Sequence, residues 1–242
     1  MLSALALAAL AAVAQSWDNC EFTADRSANV AASRSDVLDL VARAGSLVVE
    51  GRPGLSEIRI RGRACASSRE LLDQLVIETS SSGGRIRVEI PEIEHERNFF
   101  GGNQNASLDL VLEVPEGMEA VITDGSGDAE IRGVGRLRVT DGSGGLRLAD
   151  IRGDLRVEDG SGEIEIDGVG GSVDVQDGSG EVIVREVTGN VTIDDGSGSI
   201  EVAGVRGDLT VGDDGSGDIR FENVRGAVDV PDKERDRRRR RR

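Results

Sequence analysis

The tetrapeptide DGSG occurs six times between residues 124 and 217, and its spacing constrains the fold more than any other feature of this chain. Successive copies start 17, 18, 18, 18 and 19 residues apart. A fixed period of this kind is typical of proteins built from stacked structural repeats. The aspartates of the six copies are Asp124, Asp141, Asp159, Asp177, Asp195 and Asp214, and the glycines are Gly125, Gly127, Gly142, Gly144, Gly160, Gly162, Gly178, Gly180, Gly196, Gly198, Gly215 and Gly217.

Each repeat contains two short segments in which apolar and polar residues alternate. In the repeat that starts at Asp159, one pair is Ile164 and Ile166, and the other is Val173 and Val175. This period of two indicates β-strands with one buried face. Two short strands bury their apolar rows only by stacking on the next repeat. The sequence therefore predicts an all-β fold, a parallel β-solenoid with two-strand coils of about 18 residues. Parallel crossovers favour a right-handed path.

Aromatic residues make up only 2% of the chain and tyrosine is absent, which suits a thin core between two sheets. The regular pattern predicts solenoid repeats over residues 106–231 and a β-rich N-terminal cap over 15–105, with a short helix within 67–75. Cys20 and Cys65, the two cysteines of the chain, are expected to form one disulfide that staples this cap. A cap keeps the end of a solenoid from recruiting further strands.

The first residues indicate export. An apolar run of 13 residues, LSALALAALAAVA, is followed by the small-residue pattern Ala12-Val13-Ala14, which is typical of a signal peptide over residues 1–14. No later segment is apolar for long enough to cross a membrane. We therefore expect an exported protein, in the periplasm or on the cell surface, with no transmembrane segment in the mature chain.

Charge is distributed unevenly along the chain. The net charge is -16, and the last ten residues, KERDRRRRRR, contribute +6, which leaves -22 for the rest. A body this acidic repels nucleic acid, so we expect no nucleic-acid partner. Residues 232–242 are predicted to form a basic, disordered tail. The tail has three candidate roles: a solvated extension, a guard against end-to-end stacking, or a contact with anionic lipid or lipopolysaccharide.

The repeated aspartates permit two interpretations. Each can accept hydrogen bonds from the following backbone amides in a turn, which is a structural role. Alternatively, six aspartates in register could bind calcium, although the residue after each second glycine varies and gives no constant second ligand. The serines recur too regularly to be nucleophiles, and the chain has a single histidine, His95. A polysaccharide-acting β-helix enzyme is a further alternative, but the uniform coils predict no cleft.

The pattern DGSGxIxIxxVxGxLxVxDGSG, the signal peptide, and the sequence CEFTADR…RACAS ahead of the repeats resemble a bacterial family of putative adhesins. That family consists of β-helical domains built from strand repeats, of unknown function, and the resemblance covers about residues 40–230. It implies an exported, non-catalytic protein of the cell envelope, adhesin-like or a scaffold, with no catalytic motif and no required cofactor. Its partner would be an unidentified component of the envelope or of a surface.

Overall fold

The computed structural model describes residues 20–93, 105–212 and 215–231, and these form two ten-stranded sheets. The predicted signal peptide, His95, Asp214 and the basic tail lie outside these ranges. In spatial order, sheet A consists of β1 (Phe22–Ala31), β4 (Glu57–Ala66), β7 (Ala106–Pro115), β3 (Leu47–Arg52), β9 (Ala129–Arg132), β11 (Leu146–Ile151), β13 (Gly162–Val169), β15 (Gly180–Val187), β17 (Gly198–Val205) and β19 (Ile219–Glu222). Sheet B consists of β5 (Glu78–Ser82), β6 (Arg85–Glu89), β2 (Val37–Val41), β8 (Glu119–Thr123), β10 (Leu137–Asp141), β12 (Leu155–Asp159), β14 (Val173–Asp177), β16 (Val191–Asp195), β18 (Leu209–Val211) and β20 (Val228–Asp229).

From β8 onward the chain alternates between the sheets, and each pair of strands makes one coil. Equivalent strands of successive coils pair in parallel, so that Ile164 lies beside Val182 and Val173 beside Val191. This confirms the predicted parallel β-solenoid with coils of about 18 residues. The first repeat is one residue shorter than the next. Five residues separate Ile131 from Leu137, whereas six separate their paired residues Leu148 and Leu155 in the next coil.

The core is a double row of apolar side chains between the two sheets. In the coil that contains β13 and β14, Ile164 and Ile166 face Val173 and Val175, and all four are at most 2% exposed. Val169 closes the same layer at the end of β13 and is 1% exposed. Each such side chain contributes roughly 1.5–3 kcal/mol through removal from water, and this layer repeats from coil to coil.

One coil lies out of sequence order. Strand β2 is placed between β6 and β8, and β3 is placed between β7 and β9, so residues 37–52 sit inside the stack. Strand β3 is parallel to both of its neighbours. The division of the chain at residue 105 therefore does not coincide with the structural one, because the early segment 37–52 completes a coil between later segments.

The N-terminal end of the stack is covered by antiparallel strands and a short helix. Strands β1 and β4 are antiparallel, β4 is antiparallel to β7, and β5 and β6 form a hairpin. The helix α1 (Arg69–Gln74) begins at Ser68, whose side chain accepts a hydrogen bond from the Leu71 amide. Cys20 and Cys65 form the predicted disulfide, which joins the segment just before β1 to β4. Within the described ranges, no helix is long and apolar enough to span a membrane.

Candidate functional site

The DGSG segments form one corner of each coil, between a strand of sheet B and the next strand of sheet A. We call these segments the DGSG corners; they span residues 124–127, 141–144, 159–162, 177–180, 195–198 and 214–217. In four corners the aspartate is the last residue of the sheet-B strand, as Asp159 is in β12. Asp159 lies two residues after the inward-facing Val157. Because alternate residues of a strand face the same side, the Asp159 side chain also points into the interior.

The aspartates stack into a buried column. Asp141, Asp159, Asp177 and Asp195 are neighbours in register from coil to coil. Asp124 precedes Asp141, and the buried Ala42 takes the same corner position in the out-of-order coil, ending the column. The exposed fractions are 3% for Asp124, 4% for Asp141, 8% for Asp159, 6% for Asp177 and 1% for Asp195.

Backbone amides at the corners donate hydrogen bonds to only some of the carboxylate oxygens in this column. The Gly125 amide donates to Asp124 Oδ1 at 2.9 Å, and the Ser179 amide donates to Asp177 Oδ1 at 3.1 Å. Neither oxygen of Asp141 or Asp159 receives a hydrogen bond of normal geometry from the described protein atoms. Buried carboxylates with so few donors are unfavourable in their ionised form.

The pKa values reflect this environment. Burial raises the pKa of Asp124 to about 7. The hydrogen bond from the Gly125 amide lowers this pKa in part, and the negative charge of Asp141 raises it further. Burial, followed by the negative charges of Asp141 and Asp177, raises the pKa of Asp159 to about 6. The nearby amides of its own turn have the opposite, smaller effect and lower this pKa. Burial also raises the pKa of Asp141 and of Asp177, although neighbouring amides oppose the effect. The column therefore retains protons at pH values where an exposed aspartate has lost them.

The two glycines of each corner are required by the stacking. The second glycine has φ between 125° and 152° in four corners, at Gly127, Gly144, Gly162 and Gly180. A Cβ on Gly180 would overlap the carbonyl oxygen of Gly162 in the adjacent coil, and one on Gly160 would lie 2.5 Å from the Gly142 oxygen. Side chains are thus excluded on both sides of the serine, which explains the invariance of the pattern along the chain.

The amide hydrogen bonds to Asp124 and Asp177 agree with the structural interpretation of the corners, whereas Asp141 and Asp159 depart from it because their side chains accept none of normal geometry. Among the residues that the structure describes, no group of three or more Asp, Glu, His or Cys side chains is arranged to hold a metal ion. Calcium binding by the repeated aspartates remains a prediction, which a calcium titration of the protein would test. Asp214, the sixth candidate ligand, and His95, the only possible histidine base, are both outside the described ranges. The backbone of the aspartate position continues the hydrogen-bond ladder around the corner, since the Gly160 amide donates to the Asp141 carbonyl and the Gly178 amide to the Asp159 carbonyl.

The opposite side of each coil has a second kind of corner, in the glycine-containing segment that joins the two strands of a repeat. We call these the distal corners; they span residues 132–136, 150–154, 168–172, 186–190, 204–208 and 223–227. Each contains a residue in the left-handed region nine positions after the DGSG aspartate: Gly133, Asp150, Gly168, Glu186, Gly204 and Asn223, with φ between 52° and 78°. The available signal was the recurrence of Gly, Asp or Asn at most of these positions.

Side chains at the distal corners also link adjacent coils. Asp154 Oδ1 accepts from the Ser172 amide at 3.0 Å, Ser172 Oγ from the Asn190 amide at 3.1 Å, and Asn190 Oδ1 from the Asp208 amide at 3.0 Å. A surface concavity of about 620 Å³ adjoins the first distal corners and is open to solvent. Four of the charged side chains that line it form ion pairs, Arg132 with Glu50 and Arg152 with Glu116.

The family model described as Toastrack DUF4097 matches residues 50–230. The chain belongs to this family. The match spans the repeats and most of the predicted cap, and it bears out the resemblance drawn from the DGSG pattern. A comparison with curated proteins gives no significant match.

Among solved structures, the chain is similar to a putative cell adhesion protein from Clostridium sporogenes, with 14% identity, a TM-score of 0.36, and coverage of 86% of this chain and 99% of that one. It is also similar to a putative adhesin from Bacteroides fragilis, with 13% identity, a TM-score of 0.30, and coverage of 86% and 97%. A putative adhesin from Parabacteroides merdae gives 9% identity, a TM-score of 0.27, and coverage of 86% and 96%.

Proposed function

We propose that this Toastrack protein is an exported, non-catalytic component of the cell envelope that presents the faces of its solenoid as a scaffold or adhesin-like surface. The observation that carries the proposal is the regularity of the coils. Both kinds of corner are short turns, and the register continues from β9 to β19 in sheet A and from β8 to β20 in sheet B. Such a body offers extended, repetitive faces for contact with other molecules.

The faces themselves are built for solvent and polar contact. On sheet A, Arg185 pairs with Glu165 at 3.1 Å and with Glu201 at 3.2 Å, one coil to either side. On sheet B, Arg156 pairs with Asp174 at 3.2 Å across one coil. Each exposed pair contributes at most about 1 kcal/mol, so their main effect is to hold a fixed pattern of charge along the rod.

The basic tail supplies a second element of the proposal. Its arginines would contact anionic lipid or lipopolysaccharide of the envelope through salt-sensitive interactions, while the acidic body stays away from such surfaces. The body itself would contact an envelope or surface component of the opposite charge or of polar character. No cofactor is needed for either contact.

The first test is the location of the protein in intact cells. A protease-cleavable tag inserted at Gly83–Gly84 lies in the exposed β5–β6 turn, where added atoms meet no neighbour closer than 3.7 Å. Cleavage by added protease while a known periplasmic protein survives would indicate a surface protein and would make adhesion assays the next step. Protection that is lost only when the outer membrane is opened would favour a periplasmic scaffold. Retention of the tag in the cytoplasmic fraction would refute the proposal.

A further inference from the structure

The C-terminal end of the solenoid exposes apolar side chains that every earlier coil buries. Phe221 is 46% exposed and Val228 is 39% exposed, whereas their register neighbours Val202 and Leu209 are fully buried. Strands β19 and β20 are the last strands of their sheets, so their outer backbone groups have no strand partner within the described chain. We call the surface formed by these two strands the open end. An apolar surface bordered by two unpaired strand edges is a site for strand addition.

The other end of the stack does not match this surface. There the outermost strands are β1 and β5, and all five residues of β5, with the sequence ETSSS, are exposed and polar. A head-to-tail contact that continues sheet B would place Val228 of one molecule against that polar edge. A contact between two open ends would instead bring apolar surface against apolar surface.

The outward side chains of β19 determine which register two open ends can adopt. In an antiparallel pair, directly opposite residues face the same side of the sheet. If Ile219 were opposite Phe221, Arg220 would face Arg220 of the second copy. If Phe221 is opposite itself, Arg220 faces Glu222 on both sides of the two-fold axis, and the charges are complementary.

We propose that the open ends of two copies associate about a two-fold axis, with β19 antiparallel to β19, Phe221 opposite Phe221, and Arg220 opposite Glu222 of the second copy. Only one coil of each molecule takes part, so the interface is smaller than that of a stable dimer. The association is therefore weak, reversible and sensitive to salt. In the cell envelope it would double the length of the rod and leave both capped ends outward.

Sedimentation equilibrium of the purified full chain over a range of protein concentrations and salt tests the proposal. The wild-type protein is expected to show a monomer–dimer equilibrium that weakens as salt rises. Arg220→Glu and Glu222→Arg each place like charges in contact twice per dimer, and each is expected to weaken association by about tenfold. The double variant Arg220→Glu/Glu222→Arg restores opposite charges and is expected to regain dimerisation.

Two controls separate association from folding. Arg136→Glu makes the same charge change at a side chain with 64% exposure in the middle of the stack, and it should leave association unchanged. Residue 222 lies beside Ala203, which is uncharged, so the Glu222→Arg variant should retain the fold. This variant therefore remains informative even if repulsion from the neighbouring Glu201 destabilises Arg220→Glu. A monomer at all concentrations, open-ended polymers, or a double variant as weak as the single ones would overturn the proposal.

Discussion

The two corners of each coil carry the chain through similar reversals, but the residue with positive φ tolerates change very differently in the two. At the DGSG corners the backbone of one coil lies against the backbone of the next, and a buried acid occupies the inner side. At the distal corners the left-handed residue varies among Gly, Asp, Glu and Asn. The comparison shows that it is contact between coils, rather than the turn itself, that restricts the sequence.

The largest expected effect comes from adding one methyl group to each kind of corner. In Gly180→Ala the Cβ overlaps the Gly162 carbonyl, and φ is 152°, so we expect a loss of about 3 kcal/mol or more in the free energy of unfolding. In Gly168→Ala the nearest atom is 3.6 Å away and only the φ of 78° is unfavourable, so the loss should be about 1 kcal/mol. Urea unfolding of both variants measures the difference, and equal losses would contradict the comparison.

The second effect is the pH dependence of the aspartate column. Because the folded pKa of Asp159 is raised to about 6 from an ordinary value of 3.8, the native state holds a proton that the unfolded chain releases. The contribution of this group to stability is therefore greatest below about pH 4, falls as pH rises towards 6, and is constant above that. Asp159→Asn keeps the shape without the charge. It should be more stable than the wild type at pH 8 by on the order of 2 kcal/mol, and this advantage should vanish at pH 4.

The groups that face Asp159 are its column neighbours Asp141 and Asp177 and the amides of its own turn. Asp167→Asn, at an exposed position of the same coil, is the matched control and should show no such gain. Thermal or urea unfolding at several pH values gives the difference curve. An advantage that is the same at pH 4 and pH 8 would refute the titration. Stabilisation of the wild type by calcium at pH 8, absent in Asp159→Asn, would point to a bound cation instead.

Much of this architecture was predictable from the repeat, and the exceptions have physical causes. The alternating pairs and the DGSG period specify strands, corners and parallel stacking because only one register buries every apolar row. Burial of the aspartates was also accessible, since Asp141 continues the alternation of Leu137 and Val139. The position of residues 37–52 was not, because sequence order does not determine spatial order when an early segment pairs with later ones. The exposure of Phe221 could not be predicted either. Its strand has the same alternation as the earlier strands, in which the equivalent residue is buried, and differs only in lying at the end of the sheet.

A smaller effect is expected from the hydrogen bonds that link distal corners. Asn190→Ala removes the acceptor for the Asp208 amide, and we expect a loss of roughly 0.5–1 kcal/mol in the free energy of unfolding because the site is exposed. Asn190→Asp retains an acceptor oxygen, as Asp154 and Asp208 do at the same position of other coils, and should preserve stability. If the alanine and aspartate variants unfold at the same urea concentration, these side chains do not link the coils energetically.

The smallest expected effect is a gain. Glu186 has φ of 52° at a position where Gly168 and Gly204, in the adjacent coils, have 78° and 73°. Glu186→Gly relieves a left-handed conformation that costs a side chain about 1–2 kcal/mol, and the added freedom of the unfolded chain offsets roughly half of that. We expect a net gain of about 0.5 kcal/mol, whereas Glu130→Gly, within strand β9, should lose a similar amount. At the equivalent Gly168 the nearest atom to an added Cβ is 3.6 Å away, so relief of local backbone strain is the main change expected at this position. A loss of stability in Glu186→Gly would show that contacts of the Glu186 side chain with the adjacent coil matter more than its backbone.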